Sequence, residues 1–131
     1  MKRIVVVLFT LIVKSAFAQT QADMNHQVYA EYQKADNELN EVYKQLLVEY
    51  KTDTVYINNL KASQRIWINF RDAELHMKYP EREAGYYGSL HPICSTSYLA
   101  ELTKERTKKL REWLAGAEEG DICSGSVRIK E

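Results

Sequence analysis

Apolar and small residues recur every three or four positions through long stretches of the chain, which is the spacing of amphipathic helices. The first stretch runs from Asp23 to Tyr50 and contains no glycine or proline. A short polar break follows, in which Asp53 or Thr54 is a candidate N-cap for a second helix. That second helix is predicted to run to about Tyr79, just before a proline.

The chain then enters a region with irregular backbone. Residues 80–94 contain both prolines and two glycines, which predicts a long loop. Ser95 or Thr96 is a candidate cap for a third helix, and Gly116 is placed to end it. The pattern predicts an all-α fold, a small antiparallel bundle of about three helices in an up-down-up arrangement, although a hairpin in the first connection stays open.

The second helix mixes polar groups with aromatic rings on its expected buried face. That face contains Leu60, Gln64, Trp67, Phe70 or Arg71, and Glu74 or Leu75. One interpretation is an exposed recognition surface formed by Gln64, Trp67 and Arg71. We favour the structural alternative, in which Trp67 is part of the core. A buried Arg71 would then need a carboxylate, because an unpaired buried charge is costly. Candidates include Asp36, Glu74 and Glu101; otherwise Arg71 is expected to stay at the margin of the core.

The first 18 residues have the pattern of a secretory signal peptide. Two basic residues precede an apolar run of about ten residues, and small residues stand at Ala16 and Ala18. The run is too short for a bilayer, which needs roughly twenty residues. We therefore predict cleavage near Ala18, a periplasmic or secreted protein without a stable membrane anchor, and one domain over residues 19–131.

Removal of this segment changes the charge balance. The remaining chain carries 15 basic and 18 acidic residues, a formal net charge of −3. A mildly acidic surface disfavours nucleic acid, whose binding depends on neutralisation of phosphates by Lys and Arg. It is compatible with a basic protein partner.

Cys94 and Cys123 are the two cysteines of the chain. An exported protein meets an oxidising compartment, so we expect a disulfide between them that pins the C-terminal tail. A metal site is the competing interpretation. It is less favoured because the cysteines lack the close paired spacing of zinc sites and His26, His76 and His91 do not supply it. We predict no metal and no cofactor.

A set of motifs, in this order, resembles the lysozyme inhibitor LprI-like family over about residues 20–124. The matching positions are Ala35-Asp36, Leu39-Asn40, Tyr43, Gln64-Arg65-x-Trp67, Arg71-Asp72-Ala73-Glu74, Gly88-Ser89, Cys94, Leu102-Thr103-x-x-Arg106 and Leu110. The resemblance implies a small helical extracytoplasmic domain that binds and inhibits lysozyme. We interpret the following motif residues as structural: Asp36, Leu39, Asn40, Tyr43, Gln64, Trp67, Arg71, Asp72, Gly88, Thr103 and Arg106.

The chain departs from the family pattern at several positions. Gln27 and Leu75 stand where members commonly have cysteines, so one family disulfide is absent. Tyr87 precedes Gly88-Ser89 where a Gly-Gly-Ser turn is common. The chain also lacks the lipid-accepting cysteine of the founding inhibitor, so membrane display is not transferred.

The long loop is the candidate surface for a partner. It gathers Tyr79, Tyr86, Tyr87, Ser89, Leu90 and His91. Aromatic groups on a loop can fill a partner's cleft at low entropic cost. An inhibitor would occlude the substrate groove and present a Ser, His or Tyr group to the catalytic carboxylates of the glycosidase. In the alternative interpretation, the tyrosines fold back over the open end of the bundle.

Other functions remain open beside lysozyme inhibition. The same loop would serve an immunity or adaptor domain that binds another envelope protein, or a domain that binds cell-wall glycan or peptide. Catalysis is disfavoured because no nucleophile, base and orienting group are arranged in a recognisable pattern, and the phosphate-loop, dinucleotide and metalloprotease motifs are absent.

Overall fold

The computed structural model describes residues 2–130, with side chains from Thr20 onward. Three helices follow one another along the chain: α1 (Lys2–Glu49), α2 (Thr54–Lys78) and α3 (His91–Ala115). None of the described residues forms a strand longer than an isolated bridge. The prediction of an all-α fold with about three helices is confirmed.

α1 begins at Lys2, earlier than the predicted start at Asp23, because the helix continues back through the segment that we interpret as a signal peptide. The side chains of residues 2–19 lie outside the described part of the chain, and so does any test of cleavage near Ala18. No helix in the described part combines the length and hydropathy needed to cross a bilayer.

α1 and α3 form the main contact of the fold and run parallel to each other. At one end Gln21 donates from Nε2 to the backbone oxygen of Ser89 at 2.7 Å. At the other end the Tyr50 hydroxyl donates to the backbone oxygen of Trp113 at 3.0 Å. The buried residues on α1 recur every three or four positions, and those on α3 do the same. They are Ala35, Leu39, Val42 and Leu46 on α1, and Ala100, Thr103, Thr107 and Leu110 on α3.

Two threonines lie in this interface without leaving an unpaired hydroxyl. Thr103 donates to the backbone oxygen of Leu99 at 2.7 Å, and Thr107 donates to the backbone oxygen of Thr103 at 2.9 Å. Each hydroxyl is bonded within α3, so its burial costs little. The small side chains leave room for the leucines and valine of α1.

α2 runs antiparallel to α3 and packs along one side of it. Tyr56 lies 6.4 Å from Trp113 between ring centroids near one end, and Tyr98 donates to Glu74 at 3.2 Å near the other. These contacts give the predicted up-down-up order. Contact between α2 and α1 is slight, so α2 is attached to the α1–α3 pair by one face only.

The helix boundaries confirm one cap and correct one start. Asp53 caps α2, accepting from the backbone N–H of Tyr56 at 2.9 Å, and residues 50–53 form a short turn with no hairpin. α3 begins at His91, several residues before the predicted caps at residues 95 and 96. Pro92 lies in its first turn, where a proline is favourable because its missing N–H has no helical partner there.

The expected disulfide between Cys94 and Cys123 is wrong. Both thiols are free and exposed. Cys94 lies in the first turn of α3, whereas Cys123 belongs to the tail that folds against the last turn, where Trp113 Nε1 donates to Ser126 Oγ at 2.9 Å. About 30 Å of helix separates the two turns, and a disulfide needs Cα atoms within roughly 7 Å.

Hydrogen bonds hold the tail in place of a disulfide. The Tyr50 hydroxyl accepts from the backbone N–H of Arg128 at 3.3 Å while it donates to Trp113. An isolated parallel bridge joins Ala117 to Ile129: the Ala117 N–H donates to the Arg128 oxygen at 2.8 Å, and the Lys130 N–H donates to the Ala117 oxygen at 2.9 Å. The tail is therefore held at the ends of α1 and α3 by hydrogen bonds and not by the disulfide that we expected.

Candidate functional site

The loop between α2 and α3, residues 79–90, is built from consecutive tight turns. The backbone N–H of Tyr86 donates to the oxygen of Glu83 at 3.1 Å, and the N–H of Gly88 donates to the oxygen of Gly85 at 3.0 Å. Gly85 and Gly88 have φ of +84° and +76°, a region that residues with a Cβ rarely adopt. These glycines let the loop reverse direction and return to α3.

The aromatic side chains of the loop form one cluster with the first residue of α3. The rings of Tyr79 and Tyr87 meet edge to face at 5.5 Å between centroids, and Tyr87 stacks on His91 at 4.9 Å. Tyr86 meets Tyr87 edge to face at 4.9 Å. The Tyr87 hydroxyl donates to the backbone oxygen of Pro80 at 2.6 Å. These contacts fix the side chains of the loop against one another.

The cluster has an inner and an outer part. Tyr79, Tyr87 and His91 are half-buried, whereas Tyr86 and Leu90 are 59% and 53% exposed. The exposed pair forms the outer part of the loop, next to a cavity of about 370 Å³ that the loop and His91 line. The rings of Tyr79 and Tyr87 pack on His91 at the start of α3, in the direction that the folded-back interpretation expects, whereas the ring of Tyr86 is exposed. That this exposed ring binds a partner stays a prediction.

Polar atoms anchor the loop to the helix pair. The backbone oxygen of Ser89 accepts the bond from Gln21 of α1, so the loop is tied to a second helix. His91 Nε2 and Asn25 Oδ1 are buried and have no hydrogen-bond partner among the described residues. The guanidinium of Arg82 lies 5.7 Å from the ring centroid of Tyr86 and adds a cation beside the exposed aromatic face.

Several motif residues meet between α2 and α3 rather than in the loop. Arg106 donates from Nε to Gln64 Oε1 at 3.1 Å and from Nη2 to Ser63 Oγ at 2.9 Å. The guanidinium groups of Arg71 and Arg106 lie 5.5 and 6.0 Å from the ring centroid of Trp67. Partial burial lowers the pKa of Arg106 from its ordinary value. Gln64, Trp67, Arg71 and Arg106 thus form a polar and aromatic contact that joins the two helices.

Arg71 finds a carboxylate different from the three expected. It donates from Nε and Nη2 to Asp72 Oδ1 at 2.9 and 2.8 Å, and Asp72 is its neighbour in sequence. Phe70, the other candidate for the buried face at this turn, is more than half exposed.

The remaining motif residues lie on α1, in the α1–α3 interface and in the loop. Asn40 donates to Asp36 Oδ2 at 3.0 Å one turn away, Leu39 is buried in the core, and Tyr43 packs beside it. Thr103 is fully buried. Gly88 lies in a turn of the loop, where its backbone has positive φ.

The described residues show no carboxylates, histidines and thiols grouped as a metal would require. They also show two features that sequence reasoning missed. One is the bonding of the tail by Tyr50. The other is a second, exposed apolar face of α2, on which Ile66, Phe70 and Met77 follow one another at spacings of four and seven residues.

Comparison with known proteins gives the chain a family. The sequence model of the family described as lysozyme inhibitor LprI matches residues 13–110. An uncharacterized protein of Rhizobium meliloti (strain 1021) is 32% identical over 112 residues, which cover 77% of this chain and 78% of that protein. No solved structure matches the chain. The residues that the family model matches include α2, the loop and most of α3.

Proposed function

Because the chain belongs to the lysozyme inhibitor LprI family, we propose that it is an exported protein that binds a lysozyme and closes its substrate cleft with the α2–α3 loop. The observation that carries this proposal is the rigid aromatic loop. Its inner rings hold it in one shape, and its outer side chains, Tyr86 and Leu90, are exposed at one end of the molecule.

Rigidity matters because binding costs free energy when loops and side chains become ordered. The loop is already ordered by the bond from Tyr87 to Pro80, the stacking of Tyr87 on His91 and the bond from Gln21 to Ser89. Little of the binding free energy would be lost in fixing it. A projecting tyrosine is also one of the residue types in which interface hot spots are enriched.

Inhibition by this loop requires no chemistry from the chain. Lysozyme cleaves its glycan between two carboxyl groups. One donates a proton to the leaving group, and the other stabilises the positive charge that develops on the sugar. The loop would occupy the groove that leads to them. The Tyr86 hydroxyl and Ser89 Oγ are the exposed donors that can reach a carboxylate there.

Export is the second part of the proposal. Residues 1–18 act as a signal peptide that is removed near Ala18, and the product is periplasmic or secreted. The product has a formal net charge of −3, which favours a basic partner. Mass spectrometry of the protein recovered from the cell envelope should therefore find an N-terminus at or close to Gln19.

The test measures hydrolysis of cell-wall substrate by several lysozyme classes as the purified protein is added. The loop variant is Tyr86→Ala/Leu90→Ala, which removes outer side chains and leaves the inner cluster intact. The matched control, Val48→Ala/Ile122→Ala, removes two exposed apolar side chains far from the loop. We expect wild type and control to inhibit alike, and the loop variant to weaken inhibition at least about thirtyfold, as loss of a hot spot of about 2 kcal/mol implies.

Each outcome decides one part of the proposal. Absence of inhibition of every class at about 10 micromolar would reject lysozyme as the partner, since specific complexes of this kind bind more tightly. Sedimentation with purified peptidoglycan and capture of an envelope protein would then distinguish cell-wall binding from an adaptor role. Inhibition that the loop variant retains would keep the function and reject the loop as the contact.

A further inference from the structure

A pocket of about 260 Å³ lies between the first half of α2 and the second half of α3. Its lining is mainly apolar, because the buried side chains of Tyr56, Leu60 and Leu110 contribute to it together with the half-buried ring of Trp113. Ser126 of the C-terminal tail also lines it and accepts the indole N–H bond. Ligand sites are usually about 300–1,000 Å³, so this pocket admits only a small molecule.

Arg106 brings a positive charge without a counter-charge to this pocket. Its guanidinium donates to Gln64 and Ser63, which are both neutral, and no carboxylate among the described residues forms an ion pair with it. An arginine has five N–H donors, so three of them are left for a ligand. The other charged residue that lines the pocket, Lys109, is also basic and is paired at the surface with Glu112 at 2.9 Å.

The position of Arg106 makes this charge costly to leave alone. Burial between the two helices lowers the pKa of Arg106, because the charged form loses contact with water there. A buried charge is tolerated best when an opposite charge pairs with it and accepts its hydrogen bonds. An anionic group in the pocket would therefore supply a partner that the described part of the chain does not.

The Tyr56 hydroxyl is a second polar group at this pocket that lacks a partner. Tyr56 is 9% exposed, and its oxygen is buried without a hydrogen bond to any described residue. The charge of Arg106 interacts with this side chain, so the hydroxyl and the guanidinium belong to the same part of the pocket. Buried polar groups almost always have a partner in folded proteins. Both groups can donate, and one pair of acceptor oxygens would satisfy both.

We propose that this pocket binds a small organic carboxylate whose other end is apolar. The carboxylate accepts from the free N–H groups of Arg106 and from the Tyr56 hydroxyl, and the apolar end packs against Leu60, Leu110 and Trp113. Arginine matches the planar, two-oxygen geometry of a carboxylate. An inorganic anion would leave the apolar lining in contact with water, and a neutral apolar molecule would leave Arg106 unpaired, so neither suits the pocket as well.

Two sources present this chemistry: a free aromatic or aliphatic acid, and the C-terminal carboxylate of a peptide. Asn59, Ser63 and Lys109 line the pocket and are exposed, so the pocket opens to solvent on their side. A peptide that continues out of the pocket is therefore compatible with the site. The experiment below distinguishes the two sources.

The pocket is separate from the proposed lysozyme contact. Its residues on α2 lie in about the first three turns of that helix, whereas the loop follows the opposite end. Carboxylate binding and lysozyme inhibition are therefore measured independently. Loss of inhibition in the Tyr86→Ala/Leu90→Ala variant, or absence of inhibition in wild type, leaves the test of the pocket unaffected.

The test titrates the protein with phenylacetate and follows the amide and indole N–H signals by NMR. The chain has two tryptophans, so the indole signal of Trp113 is one of two, and the spectrum of Trp67→Phe identifies it. We expect this signal and the amides of Leu60 and Leu110 to shift with a Kd of about 0.1–1 mM. Phenylacetamide, which has the same ring and no charge, should bind at least about tenfold more weakly, and so should acetate, which has no ring.

Variants assign the binding to the two donors. Arg106→Gln should weaken phenylacetate binding at least about tenfold, and Tyr56→Phe, which keeps the ring, about three- to tenfold. The matched control is Arg111→Gln, which removes the same charge from α3 on the side that faces α1, where Arg111 pairs with Glu38 at 3.4 Å. It should bind as wild type does. Thermal unfolding verifies that each variant folds, and Arg106→Lys, which keeps the charge but not the forked geometry, replaces Arg106→Gln if that variant does not.

Each outcome bears on the proposal. Signals that do not move at about 10 mM phenylacetate would overturn it and leave the pocket to water. Equal affinity for phenylacetamide would overturn it by showing a purely apolar site, and unchanged binding in Arg106→Gln or Tyr56→Phe would do so by placing the carboxylate elsewhere. N-acetylphenylalanine carries the same groups as the end of a peptide. If it binds more tightly than phenylacetate, the proposal is supported with a peptide as the source; the reverse order supports it with a free acid.

Discussion

Removal of one hydroxyl, in Tyr50→Phe, should loosen the C-terminal tail. Tyr50 is 2% exposed, and its hydroxyl both donates to the Trp113 oxygen and accepts from the Arg128 N–H. The phenylalanine ring keeps the remaining contacts, a 4.3 Å ring contact with Tyr56 and the Arg128 guanidinium 4.4 Å from the Tyr50 ring. The variant therefore isolates the two hydrogen bonds.

The magnitude follows from those two bonds. A hydrogen bond contributes about 1 kcal/mol net, and a group left unpaired in a partly buried place costs somewhat more. We expect the free energy of unfolding to fall by about 1–3 kcal/mol. For a domain of roughly 110 residues this corresponds to a decrease of about 4–12 °C in Tm.

The assay combines thermal unfolding with amide hydrogen exchange. The Arg128 amide should exchange faster in Tyr50→Phe, because its acceptor is gone, while amides in the middle of α1 and α3 keep most of their protection. Tyr29→Phe, at an exposed ring on the same helix, is the control and should match wild type. A Tm within about 1 °C of wild type, with slow exchange at Arg128, would refute the role given to this hydroxyl.

Three further results are expected. Gly116→Ala should destabilise the protein by about 1–2 kcal/mol more than Gly120→Ala. Both glycines have positive φ, but a Cβ at Gly116 would lie 3.1 Å from the Arg128 oxygen, whereas a Cβ at Gly120 would meet no atom. Equal Tm values for the two variants would contradict this prediction. Native protein should titrate two thiols, Cys94 and Cys123, with a thiol reagent, and a titre of zero would restore the disulfide. Burial raises the pKa of Tyr56 to about 12, so its contribution to stability is complete below pH 10 and is lost as the pH rises towards 12. In Tyr56→Phe, the free energy of unfolding should therefore fall less steeply between pH 10 and 12 than in wild type. An unchanged pH profile would contradict this prediction.

The helices were predictable because their periodicity is local. The four-three spacing of Leu39, Val42 and Leu46 marks the face that α1 buries, and Asp53 marks the start of α2. Because of Pro92, the predicted loop extends to residue 94, whereas α3 begins at His91. Proline breaks a helix when it lies in the interior but is favourable in the first turn.

Contacts between distant parts of the chain were less predictable. We expected a disulfide because an exported protein meets an oxidising compartment. That reasoning does not include the distance between Cys94 and Cys123, which lie at opposite ends of α3. The partner of Arg71 was missed because adjacent residues on a helix do not normally face each other, yet the long arginine side chain folds back to Asp72.

The candidate loop was predictable as a set of residues but not in its division of roles. Only the structure separates the inner rings of Tyr79 and Tyr87 from the exposed Tyr86. The exposed apolar face of α2 that contains Ile66, Phe70 and Met77 is a different case. α2 carries apolar side chains on more than one face, and spacing alone does not say which face α3 covers.

The contact between Gln21 and Ser89 joins positions 68 residues apart in the sequence. It places the loop at the end of the molecule from which the N-terminal segment of α1 continues. If the chain is cut near Ala18 as we propose, the new N-terminus would lie within one helical turn of the side chain that holds the loop, so the contact couples the loop to the start of the mature chain.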